Sequence, residues 1–332
     1  MATSSPNYDI PKPDEGKDPW AQDYYSLVDT VDANLKDRTS GEIFHTEGGF
    51  FDPADYSDFG AAVNAALSDL DRGVVLLPAV RTKFPTPIQV QSLGKDVRGL
   101  GPYATVLGYT GSGAAFREED GRGKHGGFAL IGDGTDGTIG VKTDAPEGSG
   151  NTANVHYKNV YVTDFGEHNI IATEAGNDND ITNQTYRVTY EDVWVGGCGG
   201  NAIEARTATP QHSFVRVYSL IASDALYGDD FSASYSRIQG EFIHLVKGWN
   251  TLLQDVHIEG GINGSPDEAA IFIEDQYNIT INDLHIEGVG GGERMGRGVW
   301  LRNCDNVGLE ECSITNKNDD LETGLRLENC EK

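Results

Sequence analysis

Apolar and polar residues alternate in short runs along most of the chain, and toward the C-terminus the runs return at a fixed spacing. Gln254-Asp255-Val256-His257-Ile258-Glu259-Gly260 reappears 28 residues on as Asn282-Asp283-Leu284-His285-Ile286-Glu287-Gly288. After 28 more comes a fainter copy, Glu310-Glu311-Cys312-Ser313-Ile314-Thr315-Asn316. Each copy has the period-two alternation of a strand with one buried face. Two other runs share the spacing. Ile243/Leu245, Ile271/Ile273 and Val299/Leu301 recur at 28, with Leu325/Leu327 at 26. Thr251/Leu253, Ile279/Ile281 and Val307/Leu309 also recur at 28. Upstream, the run from Val155 to Val162 returns after 33 residues as Val188 to Val195, and extra residues in a turn belong to its loops.

A fixed period in this range marks a repeat architecture, in which units too small to bury a face alone stack on one another. Three short strands per turn and no helical period predict an all-β parallel β-helix over residues 128–332. The competing fold is a β-propeller, but its blades need about 40 residues each. Residues 46–127 read as the N-terminal cap of the solenoid. Within them, Phe59, Val63, Ala66, Leu67 and Leu70 share a helical face, and strands follow at Gly73–Pro78, Val97–Gly101 and Thr105–Leu107. Residues 1–45 form an arm and a helix. Asp18 is its N-cap, Pro19 its first position, and Trp20, Tyr24, Leu27, Val28, Val31 and Leu35 form a stripe. That stripe needs a partner, and these six residues are the candidate attachment and oligomerisation surface.

Charge changes the picture more than composition does. With 25 Lys+Arg against 52 Asp+Glu, the net charge is −27, which argues against nucleic acid and against an acidic membrane surface. The acids are spread along the chain, as in proteins that work in concentrated salt, the alternative being an ordinary acidic surface. No run reaches the ~18 apolar residues of a membrane helix. Met1-Ala2-Thr3-Ser4-Ser5-Pro6 lacks a secretory signal, so the protein either stays inside the cell, leaves by lysis, or lacks its leader here. The 42 glycines supply corners. Of the four cysteines, Cys304 and Cys330 fall at equivalent places on neighbouring turns and read as stacked thiols, with a disulfide as the alternative.

Two resemblances become specific at the N-terminus. The phenylalanine–glycine pair and helix, followed by Gly73-Val74-Val75-Leu76-Leu77-Pro78 and by Gly99 through Leu107, resemble the start of the pectate-lyase-like superfamily. The resemblance implies a right-handed β-helix, a fold found in many viral tail spikes. Tyr8-Asp9-Ile10-Pro11-Lys12-Pro13, an acidic spacer and a helix ending Val28-Asp29-Thr30-Val31-Asp32 resemble the opening of tail-fibre proteins of tailed viruses. With the acidic bias, this suggests a virus of a salt-loving archaeal host.

Alternation also tells which side chains leave the core. Tyr161, Trp194, His257 and His285 occupy one outward slot on successive turns, and His244, Phe272, Trp300 and Arg326 another. Aligned aromatics suit a subunit contact or a glycan. Asp255, Asp283 and Glu311 stack like charges, which salt, protonation or a cation would relieve, so they are the candidate ligands of a structural Ca²⁺ or Mg²⁺. No organic cofactor is indicated. Gly228-Asp229-Asp230 resembles the paired-aspartate segment of polygalacturonases, which makes Asp229 and Asp230 the candidate catalytic pair. The rest of that pattern is missing, and His125-Gly126-Gly127 lies upstream, in the wrong order.

The sequence therefore predicts a virion structural protein, assembled in the host cytoplasm and released with the particle. It is expected to be a homotrimeric tail fibre or spike. Its N-terminus would join other tail or capsid proteins, and its solenoid would bind host-surface glycan or glycoprotein. The alternatives are a β-helical polysaccharide depolymerase and a capsid decoration or turret protein. Stability is expected to rise with salt, because screening relieves the −27 charge. A melting temperature that stays flat or falls across a salt series would contradict this.

Overall fold

The computed structural model describes residues 42–119, 122–145, 152–174, 185–206, 212–220, 224–228, 231–234, 237–239, 243–259, 269–287, 295–315 and 321–330. These residues form a parallel β-solenoid with three strands per turn, as the repeat predicts. The first sheet contains Gly73–Leu76, Lys95–Arg98 and the leading parts of Lys124–Ile131, His156–Thr163 and Thr189–Val195. The second contains Val80–Phe84, Thr105–Tyr109 and the trailing parts of those same long strands. The third runs through Ile88–Val90, Ala114–Glu118, Ile139–Ala145, His168–Glu174 and Asn201–Arg206 to Met295–Arg302 and Leu321–Glu328. Ile243–Glu259 and Ala269–Glu287 each pass through all three sheets, paired residue for residue at the 28-residue spacing. The 33-residue period is also a ladder, with Val160 opposite Val193 and Val162 opposite Val195.

Corners explain how one strand can serve two sheets. Between the first and second sheets a single residue adopts left-handed φ on turn after turn: Gly127 (70°), Asn159 (55°), Asp192 (53°), Asp255 (53°), Asp283 (52°) and Glu311 (52°). A second corner column, between the third and first sheets, has Asp275, Asn303 and Asn329 at φ 52–54°. Asn and Asp tolerate this region better than other non-glycine residues, for which it costs roughly 1–2 kcal/mol. Side chains bridge the turns there: Asn303 Nδ2 donates to Asp275 Oδ1 at 3.0 Å, and Asn329 Nδ2 to Asn303 Oδ1 at 3.1 Å.

The core is a set of inward columns. Ile243, Ile271 and Val299 form one, and Ile258 and Ile286 another, all buried. Each full burial of this kind stabilises by about 1.5–3 kcal/mol. In the middle turns the inward column is aromatic: the Tyr157 and Tyr190 rings stack at 5.6 Å and 9°, and His125 lies 5.5 Å from Tyr157. His125 is thus a core residue rather than part of a catalytic motif. Its Nδ1 accepts from the Val97 N–H (3.2 Å), which leaves Nε2–H to donate to the buried Glu118 carboxylate at 2.7 Å.

At the N-terminal end, helix α1 (Phe59–Asp69) packs its Phe59, Val63, Ala66 and Leu67 face over the first turn. Asp58 caps it, accepting from the N–H groups of Gly60 (2.8 Å) and Ala61 (3.2 Å). Among the described residues no helix is long and apolar enough to cross a membrane. The N-terminal stripe of Trp20, Tyr24, Leu27, Val28, Val31 and Leu35 lies outside the described residues.

Turn-to-turn approach is tightest at Gly126, where a Cβ would sit 1.7 Å from the Lys158 carbonyl oxygen. Both sides of that contact are backbone, so neither can swing away. Gly126→Ala is expected to destabilise by about 1–3 kcal/mol. An unchanged unfolding midpoint in denaturant would contradict the stacking geometry.

Candidate functional site

The outward slots predicted from alternation are real columns. On the second sheet, Ala129, Tyr161, Trp194, Tyr218, Arg237, His257, His285 and Ser313 pair in unbroken register. Trp194 is 41 % exposed, Tyr161 is half-buried, and the His257 and His285 rings meet edge-on at 4.7 Å. On the third sheet, Arg117, Lys142, Ile171, Glu204, Tyr227, His244, Phe272, Trp300 and Arg326 form a second column. Tyr218, Tyr227, Arg237 and His244 keep their register places; their side chains lie outside what is described.

The second-sheet column runs beside a groove that sequence reasoning missed. One section, of about 400 Å³, is lined by Arg81, Lys83, Val106, Gly108, Ile131 and Asp133 among others. It shares Gly132 and Asp133 with a section of about 550 Å³ at the corner between the second and third sheets. Asp136, Asp164, Gly166 and Gly197–Gly199 line that corner. The glycines are there because turns stack closely: a Cβ on Gly166 would lie 2.0 Å from the Thr135 carbonyl oxygen, and one on Gly199 2.1 Å from that of Gly166. With no side chains in the way, three exposed carboxylates, Asp133, Asp136 and Asp164, face one recess. Hydrogen bonds from Thr135 hold the Asp133 carboxyl below its ordinary value, so it is ionised at neutral pH. The loop Asp133–Gly137 is visible in the sequence as oxygen-rich. Its meeting with Asp164 and Gly197 is not.

The third-sheet column changes character along its length. In the early turns it is ionic: Arg117 contacts Asp144 (2.7 Å) and Glu119 (2.7 Å), and Lys142 contacts Asp144 (2.9 Å). Burial pushes the Asp144 carboxyl up, but hydrogen bonds and charge from Lys142 and Arg117 outweigh it and hold the group low. In the turns that follow, His168 lies 3.3 Å from the buried Glu204. Farther along, Phe272 and Trp300 stack at 4.6 Å and 30°. This pair is not the open aromatic surface the sequence suggests. The guanidinium groups of Arg297, Arg302 and Arg326 lie 4.4, 5.5 and 4.8 Å from the Trp300 ring centre, and Arg302 is 5.0 Å from Phe272. Arg302 and Arg326 cover the rings with their heads partly exposed, and Arg297 is itself buried, which is why the column is half-buried.

Asp255, Asp283 and Glu311 stack at the left-handed corner, so the corner's backbone conformation accounts for their alignment. Among the described residues no group of three or more His, Cys, Asp and Glu is placed to hold a metal ion. A hydrogen bond with Asp283 is the largest cause raising the Asp255 carboxyl above its ordinary value, followed by desolvation and the Asp283 charge. Cys304 and Cys330 are free thiols. Burial pushes Cys304 up to about 11, and its Sγ–H reaches the Arg302 carbonyl at 3.2 Å. Asp229 and Asp230 lie outside the described residues.

Because the folded state holds the Asp255 proton more tightly than the unfolded chain, stability from this group is full below pH 3.8. It is lost as pH rises through the raised folded value. At neutral pH the pair is a net repulsion. Asp283→Asn keeps a residue suited to the corner and should melt above the wild type at pH 7, with the difference shrinking toward pH 4. Calorimetry showing the same difference at both pH values would contradict the coupling.

No family model matches the chain, and no curated protein matches it in sequence. In fold it is similar to full-length tailspike protein 2 of an Escherichia coli O157:H7 bacteriophage. The TM-score is 0.59 at 12 % identity, over 80 % of this chain and 38 % of that one. It is also similar to the enzymatically active domain of bacteriophage CBA120 tailspike protein 2, with TM-score 0.58 at 12 % identity, over 80 % of this chain and 43 % of that one. The chain thus spans about two fifths of the length of these tailspike chains, and at this identity the likeness is one of fold.

Proposed function

We propose that the chain is the β-helical part of a virion tail spike or fibre that binds host-surface glycan through the outer side of its second sheet. The observation that carries this reading is the Tyr161–Trp194 step, a half-buried ring and an exposed one in register, three residues along their strands from the groove-lining Asp164 and Gly197. Flat rings next to a hydroxyl-binding recess suit sugars, with one apolar face and a polar edge each. The N-terminal resemblance to tail-fibre openings supports attachment to the particle through residues 1–45, with the helix stripe gathering three copies. The acidic surface supports a host living in salt.

A second reading, glycan cleavage, is favoured by one feature: three carboxylates in the 550 Å³ recess, where paired acids would protonate a leaving oxygen and activate a nucleophile. The phage domain of similar fold is itself named enzymatically active. Of these acids, Asp133 and Asp164 join Asp229 and Asp230 as a pair to test.

Trp194→Ala should weaken binding to purified host-surface glycan by about 2–10-fold, the range for losing one aromatic contact. Unchanged binding would sink the second-sheet site. Release of reducing ends by wild type, lost in Asp133→Asn/Asp164→Asn, would establish the depolymerase reading instead. Labelled antibody on intact particles distinguishes tail from capsid.

A further inference from the structure

We propose that the groove section of about 400 Å³ is a subsite for the anionic group of a surface glycan, a carboxylate or a phosphate, held between Arg81 and Lys83. This rests on the glycan-binding reading above and narrows it to the charge of the ligand. The second-sheet column that carries Tyr161 and Trp194 begins with a cation. Arg81 pairs with Val106, Val106 with Ala129, and Ala129 with Tyr161. Lys83 heads the neighbouring column, followed by Gly108 and Ile131. Arg81 and Lys83 leave the same side of the strand Val80–Phe84, roughly 7 Å apart along it, so one oxyanion can lie within reach of both.

Both cations are open to a ligand. Each is exposed and lines the recess. Arg98, Arg117 and Lys158 all have a carboxylate partner, at 3.4, 2.7 and 2.9 Å. Among the described residues no carboxylate lies within ion-pair distance of Arg81 or Lys83. Asp133 also lines the recess, but Thr135 holds it. The Thr135 N–H donates to Asp133 Oδ1 at 3.1 Å, and the Lys83 charge is the weakest of the causes that keep this carboxyl low. Two cations against one carboxylate make a positive recess in a chain of net charge −27. The register keeps the space clear. Gly108 lies opposite Lys83, where a Cβ would come 3.3 Å from Lys83 Cγ. Val106 and Ala129 are short and buried, so the floor between Arg81 and Tyr161 is low over three turns, about 14 Å. A glycan lying along the column would set a sugar against Tyr161 or Trp194 and an acidic substituent at Arg81 and Lys83. Asp136 and Asp164 line the other section and repel that substituent toward this one. A guanidinium takes a carboxylate or phosphate by paired hydrogen bonds, the ammonium adds a point charge, and neither gains as much from a neutral hydroxyl.

The test is calorimetric titration of the full chain with purified host-surface glycan and with three probes of equal length: oligogalacturonate, oligo(glycerol phosphate) and a neutral galactan oligomer. The chain is itself anionic, so long-range charge favours the neutral probe. One or both anionic probes should still bind more tightly, and which of the two prevails tells carboxylate from phosphate. Arg81→Gln and Lys83→Gln should each weaken binding of the anionic probes and of host glycan about tenfold, the scale of a lost hydrogen bond to a charged group, and leave neutral binding unchanged. Lys158→Gln removes the same charge from the first sheet and should bind as wild type does. Host-glycan binding unchanged in Arg81→Gln/Lys83→Gln would overturn the proposal while sparing the glycan reading, and so would equal binding of neutral and anionic probes. Equal losses in Lys158→Gln and Arg81→Gln would overturn it by assigning the effect to net charge. If the chain binds neither these probes nor host glycan, both readings fail.

Discussion

Neighbouring turns of this solenoid are joined along every sheet by parallel ladders, and a slip of one residue would exchange the core for the surface. That constraint places everything on the outside of the molecule. Val256 and Ile258 must lie over Leu284 and Ile286, so His257 must lie over His285 and Asp255 over Asp283. A column of outward side chains is therefore a consequence of core packing before it has any function. What selection can choose is the chemistry of each slot: polar or ionic, as at Arg117 and Lys142, or aromatic, as at Trp194 and Trp300.

The corners pay for the register, and they explain two features that look functional. The acid column Asp255, Asp283 and Glu311 arises where the backbone needs left-handed φ, a conformation that favours Asp and Asn. The groove at the opposite corner exists because closely stacked turns admit only glycine at Gly166 and Gly199, which leaves carboxylates and backbone facing an open recess. The first column is thereby structural. The second supplies a concave polar surface with the exposed Trp194 indole three residues along the strand from it.

How much of this the sequence discloses depends on whether a signal is periodic. The 28- and 33-residue repeats reveal the fold, the inward columns and the outward slots, including Tyr161, Trp194, Phe272 and Trp300. The apolar face of α1 discloses the cap. The groove stays hidden because Asp164 and Gly197 continue the 33-residue ladder in register, as Phe165 and Cys198 do, but their residue types do not repeat. The arginine cover on Trp300 stays hidden because Arg297 and Arg302 belong to other slots and reach the ring only through their long side chains. The buried Glu118–His125 pair breaks the hydrophobic pattern, so its burial is not legible from the alternation.

The central claim is that recognition occurs on the outer side of the second sheet and the corner beside it, set there by the stacking register. Hydrogen exchange measured with and without purified host-surface glycan tests it most directly. The account predicts added protection in the segments around Asp133, Asp164 and Gly197, with the first-sheet segments around Lys158 and Glu191 unchanged. Protection confined to the first sheet, or none on any face while the glycan is bound, would contradict it.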